Sequence, residues 1–122
     1  SLDATHRSLL ELASAILRDC RSLAALGWDP DLLIFTVDSL ERLSDDALKH
    51  DLNEVHDKAL DLYSYLSGMQ EEQTPSLLHC ELFNQLTEHL ANSLSEYLPR
   101  GTEKIRYIAV LTPETDMPPG LI

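Results

Sequence analysis

Apolar residues recur along most of the chain at alternating steps of three and four, the spacing that aligns side chains on one face of an α-helix. The stretch from Ser44 to Gly68 shows this pattern most clearly, and we expect it to be the helix around which the others pack. Its apolar stripe comprises Leu48, Leu52, Val55, Ala59, Leu62 and Leu66. Ser44 is suited to cap the start of this helix, and Gly68 is suited to close its end in the left-handed conformation.

Three more segments carry the same periodicity, at about residues 3–26, 30–43 and 75–98. The second of them opens with Asp29 and Pro30, a capping side chain followed by the residue that favours the first helical position. Thr74 and Pro75 repeat this start signal before the last helix. Four amphipathic helices with short connections predict an all-α fold, an antiparallel up-down four-helix bundle.

The second predicted helix contains a segment with a competing interpretation. Residues 34–37, Ile-Phe-Thr-Val, are poor helix formers and would also suit a strand. The helical period continues on both sides of them, which favours the helix. We expect the inner face of this helix to comprise Leu33, Ile34, Val37, Leu40 and Leu43.

The last part of the chain differs from the rest in composition. Residues 104–112, KIRYIAVLT, are β-branched and aromatic and predict a short C-terminal β-strand. Because a lone strand cannot satisfy its own backbone hydrogen bonds, it begins a further domain, pairs with a second chain or lies on the bundle. We therefore divide the chain into a bundle, residues 1–99, and a linker with that strand, residues 100–122. Since the chain starts without Met, we expect it to be a piece of a longer protein.

The chain is strongly acidic, with 9 Lys and Arg against 21 Asp and Glu and a formal net charge of −12. Such a surface repels phosphate backbones and anionic lipids, which argues against nucleic-acid or membrane binding and favours basic partners. No apolar run reaches the roughly 20 residues that a membrane-spanning helix needs. Cys20 and Cys80 fall on or beside helical stripes, and we expect them to be reduced core thiols of a cytoplasmic protein.

The histidines do not have the spacing of a metal site. Two ligands on one helix face would lie three or four residues apart, whereas His50 and His56 are six apart and His79 and His89 are ten apart. The motifs of serine hydrolases, zinc proteases and phosphate-binding loops do not occur in the sequence. We therefore expect no enzymatic activity, no metal and no cofactor.

His56 is the side chain of greatest chemical interest. It follows Val55 at the edge of the apolar stripe, with Asp57 and Lys58 beside it and Asn53 one turn earlier. A half-exposed histidine near a carboxylate could carry a phosphoryl group or respond to pH. It could equally be an ordinary histidine at the boundary of the core.

The order of these parts resembles a histidine phosphotransfer domain of bacterial two-component signalling, over roughly residues 8–98. In that family a first helix leads through a turn, often with Asp-Pro, into a second helix with a motif of the form HSLKGxA, and two further antiparallel helices complete the bundle. Residues 27–47, GWDPDLLIFTVDSLERLSDDA, occupy the corresponding place. The end of the chain, RYIAVLTPETDMPPGLI, is similar to the first strand and loop of a receiver domain, without the acidic pair that directly follows that strand.

Within VDSLERLS, Ser39 and Leu40 agree with the family's motif, but Asp38 stands at the position of the phosphoaccepting histidine. Glu41 replaces the lysine that would counter the phosphate charge, which reverses the local field. Arg42 replaces the glycine that admits the partner closely. A carboxylate cannot form the phosphoramidate. The resemblance therefore implies a degenerate domain whose docking face includes Asp38, Glu41 and Arg42.

The sequence thus favours a non-catalytic signalling module that binds a receiver-like domain or a second copy of itself. Two alternatives stay open. One is an active phosphotransfer domain that uses His56 or, in another register, His50. The other is a purely structural bundle that dimerises its parent protein.

Overall fold

The computed structural model describes residues 4–26, 28–69 and 77–95. They form four α-helices, α1 (Ala4–Leu26), α2 (Pro30–Lys49), α3 (Asn53–Met69) and α4 (Leu77–Leu94). Within these three ranges the chain contains no strand, so the all-α prediction is confirmed for this part. The predicted strand at residues 104–112, and the domain division between residues 99 and 100, lie outside the described residues.

The four helices share one apolar core, to which each contributes its stripe. Each helix packs against its neighbours in the chain, and α1 also packs against α4, so that the four contacts close a ring. The largest fully buried side chains come from all four helices: Leu10, Ile16, Leu17, Leu23, Leu40, Leu43, Val55, Leu62, Leu66, Phe83, Leu90 and Leu94. Burying one such side chain stabilises the fold by roughly 1.5–3 kcal/mol, so this core is its main source of stability.

The predicted start of α2 is confirmed. The Asp29 carboxylate accepts a hydrogen bond from the Asp31 amide at 3.0 Å, and Pro30 occupies the first helical position. The Asp29 carbonyl accepts the first bond of the helix, from the Leu33 amide at 2.9 Å. The segment 34–37 is helical, so the strand alternative is wrong.

The predicted boundary between the second and third helices is wrong. Helix α2 continues beyond residue 43 to Lys49, and Ser44 is a buried residue in its interior, not the cap of the next helix. The chain instead turns at residues 50–52, where Asp51 has a left-handed backbone with φ 61°. The Leu52 amide donates to the Ala47 carbonyl at 2.9 Å, and the Asp51 amide donates to the Leu48 carbonyl at 3.2 Å.

These two bonds form a Schellman motif, with Asp51 in the position that glycine usually fills. The spacing from Leu48 to Leu52 mimics one helical turn, and for that reason the sequence pattern runs through the real break without interruption. Leu52 and the rest of the predicted stripe are buried, but Leu48 is 52% exposed because it belongs to the far side of α2.

Two smaller expectations are also wrong. Gly68 lies inside α3, which continues to the buried Met69, so Gly68 does not close the helix. Ile34 is 50% exposed and does not join the inner face of α2. Thr36 is buried there instead, and its Oγ1 donates to the Leu32 carbonyl at 2.8 Å, which satisfies the hydroxyl inside the helix.

Candidate functional site

The three side chains predicted to form a docking face are all exposed on α2. Asp38, Glu41 and Arg42 follow one another at steps of three and one, which places them on the same side of the helix, away from the core. Leu40 is fully buried and Ser39 is nearly so, which fixes the orientation of this turn. The structure therefore brings the three predicted residues together on one face.

Large apolar side chains extend this face at both ends. Ile34 and Phe35 are 50% and 58% exposed one turn before Asp38, and Leu48 is exposed near the end of the helix. We use the name α2 outer face for Ile34, Phe35, Asp38, Glu41, Arg42 and Leu48. At 1.5 Å per residue, the face extends roughly 21 Å from its first to its last residue.

Helix geometry explains why the sequence pattern placed Ile34 inside. The buried residues of α2 centre on the direction of Leu40. At 100° per residue, Leu43 lies about 60° from that direction and Ile34 about 120° from it. Both flank the same apolar run in the sequence, but only Leu43 reaches the core. Projecting α2 on a helical wheel would have identified Ile34 and Phe35 as surface residues, once the helix was known to extend to Lys49.

The charge of α2 is predominantly negative. Between Pro30 and Lys49 the helix carries five acidic and two basic residues. Glu41 is held toward α3 by the Tyr63 hydroxyl, which donates to Glu41 Oε2 at 3.2 Å. The Tyr63 ring itself packs against the core. One acidic side chain of the α2 outer face therefore has a fixed position.

His56 lies in the first turn of α3 and is bound to α2. Its Nδ1 is 2.9 Å from the carbonyl oxygen of Ser44 and 2.9 Å from the Ser44 hydroxyl oxygen. Ser44 itself is buried in α2, so this contact joins the two helices beside the turn that connects them. Ser44 therefore does not cap α3 but binds His56 in its first turn. The apolar pattern of the sequence does not predict this contact.

The Ser44 carbonyl determines which ring nitrogen carries the hydrogen. A carbonyl oxygen can only accept, so Nδ1 of His56 is the donor. In the neutral imidazole the lone pair then lies on Nε2, the nitrogen that these two contacts do not use. The two contacts fix the orientation of the ring, with Nε2 directed away from the bond to α2.

The other histidines are distributed over the molecule. The rings of His6 and His50 approach each other at a centroid distance of 6.4 Å, where the start of α1 meets the end of α2. His89 is exposed on α4, and the side chain of His79 lies outside the described residues. Among the side chains that the structure describes, no group of three or more His, Cys, Asp or Glu residues could hold a metal ion.

Cys20 is a free, buried thiol on the core face of α1, as expected from its place in the stripe. Burial raises its pKa from 9.0 to about 12, the charge of Asp19 acts in the same direction, and a hydrogen bond with Thr87 opposes them. Such a thiol stays protonated and is a poor nucleophile at neutral pH. The side chain of Cys80 lies outside the described residues.

Comparison with protein-family models, curated proteins and solved structures found no match for the chain. In the described ranges no helix is long and apolar enough to cross a membrane. The function is therefore inferred from the geometry of the α2 outer face and of His56.

Proposed function

We propose that the chain is a non-catalytic signalling module, similar to a histidine phosphotransfer domain, that acts in the cytoplasm as part of a two-component regulatory protein. It binds a protein partner, a receiver-like domain or a second copy of itself, through the α2 outer face. The observation that carries this proposal is the exposure of Ile34 and Phe35 directly beside Asp38, Glu41 and Arg42.

The packing of the helices supports the bundle that this family requires. Helices α2 and α3 are joined by only three residues, which makes them an antiparallel hairpin. The helices pack in a ring, α1 with α2, α2 with α3, α3 with α4 and α4 with α1. This order of neighbours supports an up-down four-helix bundle. The second helix of that bundle carries the candidate docking residues, as in the family.

The position of Asp38 supports docking without phosphotransfer. Asp38 is exposed on α2. In the proposed alignment with the family it takes the position of the phosphoaccepting histidine. A carboxylate has no ring nitrogen to form a phosphoramidate. Glu41 adds a second negative charge one turn later, and a negative field at this point opposes the approach of a phosphoryl group. The exposed side chains of this face are suited to contact a protein, but no histidine is among them to accept a phosphoryl group.

Chemical phosphorylation tests this proposal. The full chain is incubated with phosphoramidate, and protein-bound phosphate is assayed for a label that is labile in acid and stable in base. We expect no such label on the wild type. A label that appears on the wild type and disappears in His56→Gln, but persists in His50→Gln, would refute the proposal.

One observation favours an active phosphotransfer domain as the second candidate. The Ser44 carbonyl holds Nδ1 of His56 as the donor, which leaves Nε2 as the nucleophilic nitrogen of a half-buried ring. In the neutral ring this is the tautomer that a phosphoaccepting imidazole needs. The His56→Gln comparison therefore decides between the two candidates. The third alternative, a purely structural dimerisation bundle, is tested by light scattering, since a strict monomer at high concentration contradicts it.

A further inference from the structure

We propose that the α2 outer face binds a cationic amphipathic helix of a partner protein. The apolar side chains of that helix would cover Ile34 and Phe35, and its Lys or Arg residues would lie beside Asp38 and Glu41. This partner chemistry rests on the docking role proposed above and specifies what the docking face recognises.

The exposed apolar residues of α2 are neither in the core cluster nor among the residues packed against it. Five large hydrophobic side chains are exposed in the described part of the chain: Ile34, Phe35 and Leu48 on α2, Leu60 on α3 and Leu82 on α4. Isolated surface leucines are ordinary in proteins. Ile34 and Phe35 differ from these leucines because they are adjacent and both are weaker helix formers than Leu, Glu or Lys. More than half of the surface of Phe35 is exposed to water. They neither favour the helix nor bury much surface within the chain, which indicates a contact with another molecule.

The negative charge of α2 distinguishes between the kinds of molecule that could bind this face. The five acidic residues of α2 outnumber its two basic ones, and the whole chain carries −12. A second copy that pairs through the same face about a two-fold axis would set these acidic residues against one another. An anionic lipid surface would be repelled in the same way. A partner whose basic residues lie between apolar ones matches both the acidic and the apolar side chains of the face.

The shape of the face indicates a helix. Ile34, Asp38, Glu41 and Leu48 lie along one side of a single α-helix over roughly 21 Å. A partner helix of about 14 residues has this length. Packed alongside α2, it would contact the apolar residues near both ends and the acidic residues between them.

Calorimetric titration of the full chain with three 18-residue peptides tests this inference. One peptide is an amphipathic Leu/Lys helix, the second is the same helix with Glu in place of Lys, and the third has the same positive charge but Ser in place of Leu. We expect the Leu/Lys peptide to bind one chain and to bind more tightly than either of the others. Phe35→Asp should weaken this binding by at least roughly tenfold, as is common when the apolar anchor of an interface is lost. Leu82→Asp, an exposed leucine on α4, is the matched control and should leave the affinity within about twofold.

A charge-reversal variant tests the electrostatic part. Asp45 is exposed two turns after Asp38, on the same side of α2. Asp38→Lys combined with Asp45→Lys should weaken binding of the Leu/Lys peptide and strengthen binding of the Leu/Glu peptide. Both substitutions are at exposed positions. Circular dichroism and the urea midpoint are to be measured to check that each variant is folded.

The outcomes separate this inference from the proposed function. If the Leu/Glu peptide binds and Phe35→Asp abolishes its binding, the docking role is retained but the inference of a cationic partner is wrong. Equal binding of all peptides to wild type and Phe35→Asp, together with phosphate label on His56, would overturn both. A dimer of the chain alone that Phe35→Asp dissociates would show that a second copy covers this face, and would also overturn the cationic partner.

Discussion

Replacing Phe83 by alanine should cost more stability than any other substitution of an aromatic side chain that the structure describes. Phe83 is 1% exposed, the largest of the fully buried side chains. Its ring meets Trp28, before α2, edge-on at a centroid distance of 4.9 Å, and stacks with Tyr65 of α3 at 6.4 Å. It therefore joins α4 to the rest of the core. Truncating a buried phenylalanine to alanine costs about 3–5 kcal/mol, which includes about 0.5–1.5 kcal/mol for each aromatic pair.

The matched control is the other phenylalanine of the chain. The sequence contains two Phe, and Phe35 is 58% exposed. Phe35→Ala should change the free energy of unfolding by no more than about 0.5 kcal/mol. The same substitution thus has a large effect on stability at Phe83 and a small one at Phe35. Phe83 stabilises the fold, whereas Phe35 is available for a partner.

Urea denaturation followed by tryptophan fluorescence measures both variants. Trp28 is the chain's only tryptophan and contacts Phe83, so its emission reports on this part of the core. With a urea dependence near 2 kcal/mol/M, Phe83→Ala should lower the midpoint by roughly 2 M and Phe35→Ala by less than roughly 0.3 M. A loss below about 1 kcal/mol for Phe83→Ala, or equal losses for the two variants, would refute the packing of α4 described above.

Three further predictions concern His56, Asp51 and Cys20. The nitrogen-15 spectrum of the neutral His56 ring should show the hydrogen on Nδ1, since that atom donates to the Ser44 carbonyl; a spectrum with the hydrogen on Nε2 would contradict the contact. Asp51→Gly should leave stability unchanged or raise it by up to about 1 kcal/mol in thermal unfolding, whereas Asp51→Val should lower it by about 1–2 kcal/mol, because only the first suits the left-handed backbone at φ 61°. Burial raises the pKa of the Cys20 thiol from 9.0 to about 12 in the fold. Its contribution to the free energy of unfolding should therefore be fully present below pH 9 and be lost as the pH rises toward 12, by at most about 1.4 kcal/mol per pH unit. Cys20→Ala should remove this decrease of stability between pH 9 and 12. An unchanged decrease in the variant would show that other groups cause it.

The periodicity of the sequence was sufficient to predict the four helices but not the turn between α2 and α3. The cap at Asp29 and the periodicity of α1 are local signals, and the structure has both where the sequence predicts them. In α4 the leucine spacing was less accurate, because Leu82 is 40% exposed and Phe83 is buried instead. The break at Asp51 depends on a non-glycine residue in the left-handed conformation. Local propensity favours glycine or asparagine in this position, so the turn gives no clear signal in the sequence.

The candidate site was predicted in part. Asp38, Glu41 and Arg42 are exposed together, as their spacing on α2 implies. Ile34 was misplaced because membership of an apolar run does not specify the side of the helix. The bond between His56 and Ser44 could not be predicted, because it depends on the register of α3 against α2, which the misplaced turn had changed. Long-range contacts of this kind require the tertiary structure.

The measurement that tests the central claim most directly is an NMR titration of the isotope-labelled full chain with the Leu/Lys peptide. Docking on α2 predicts that the largest amide shifts cluster in the exposed turns between Asp31 and Lys49. The shifts should disappear in Phe35→Asp and persist in Leu82→Asp. Shifts that are largest on α1 or α4, or that spread evenly over every acidic surface, would contradict a docking face on α2.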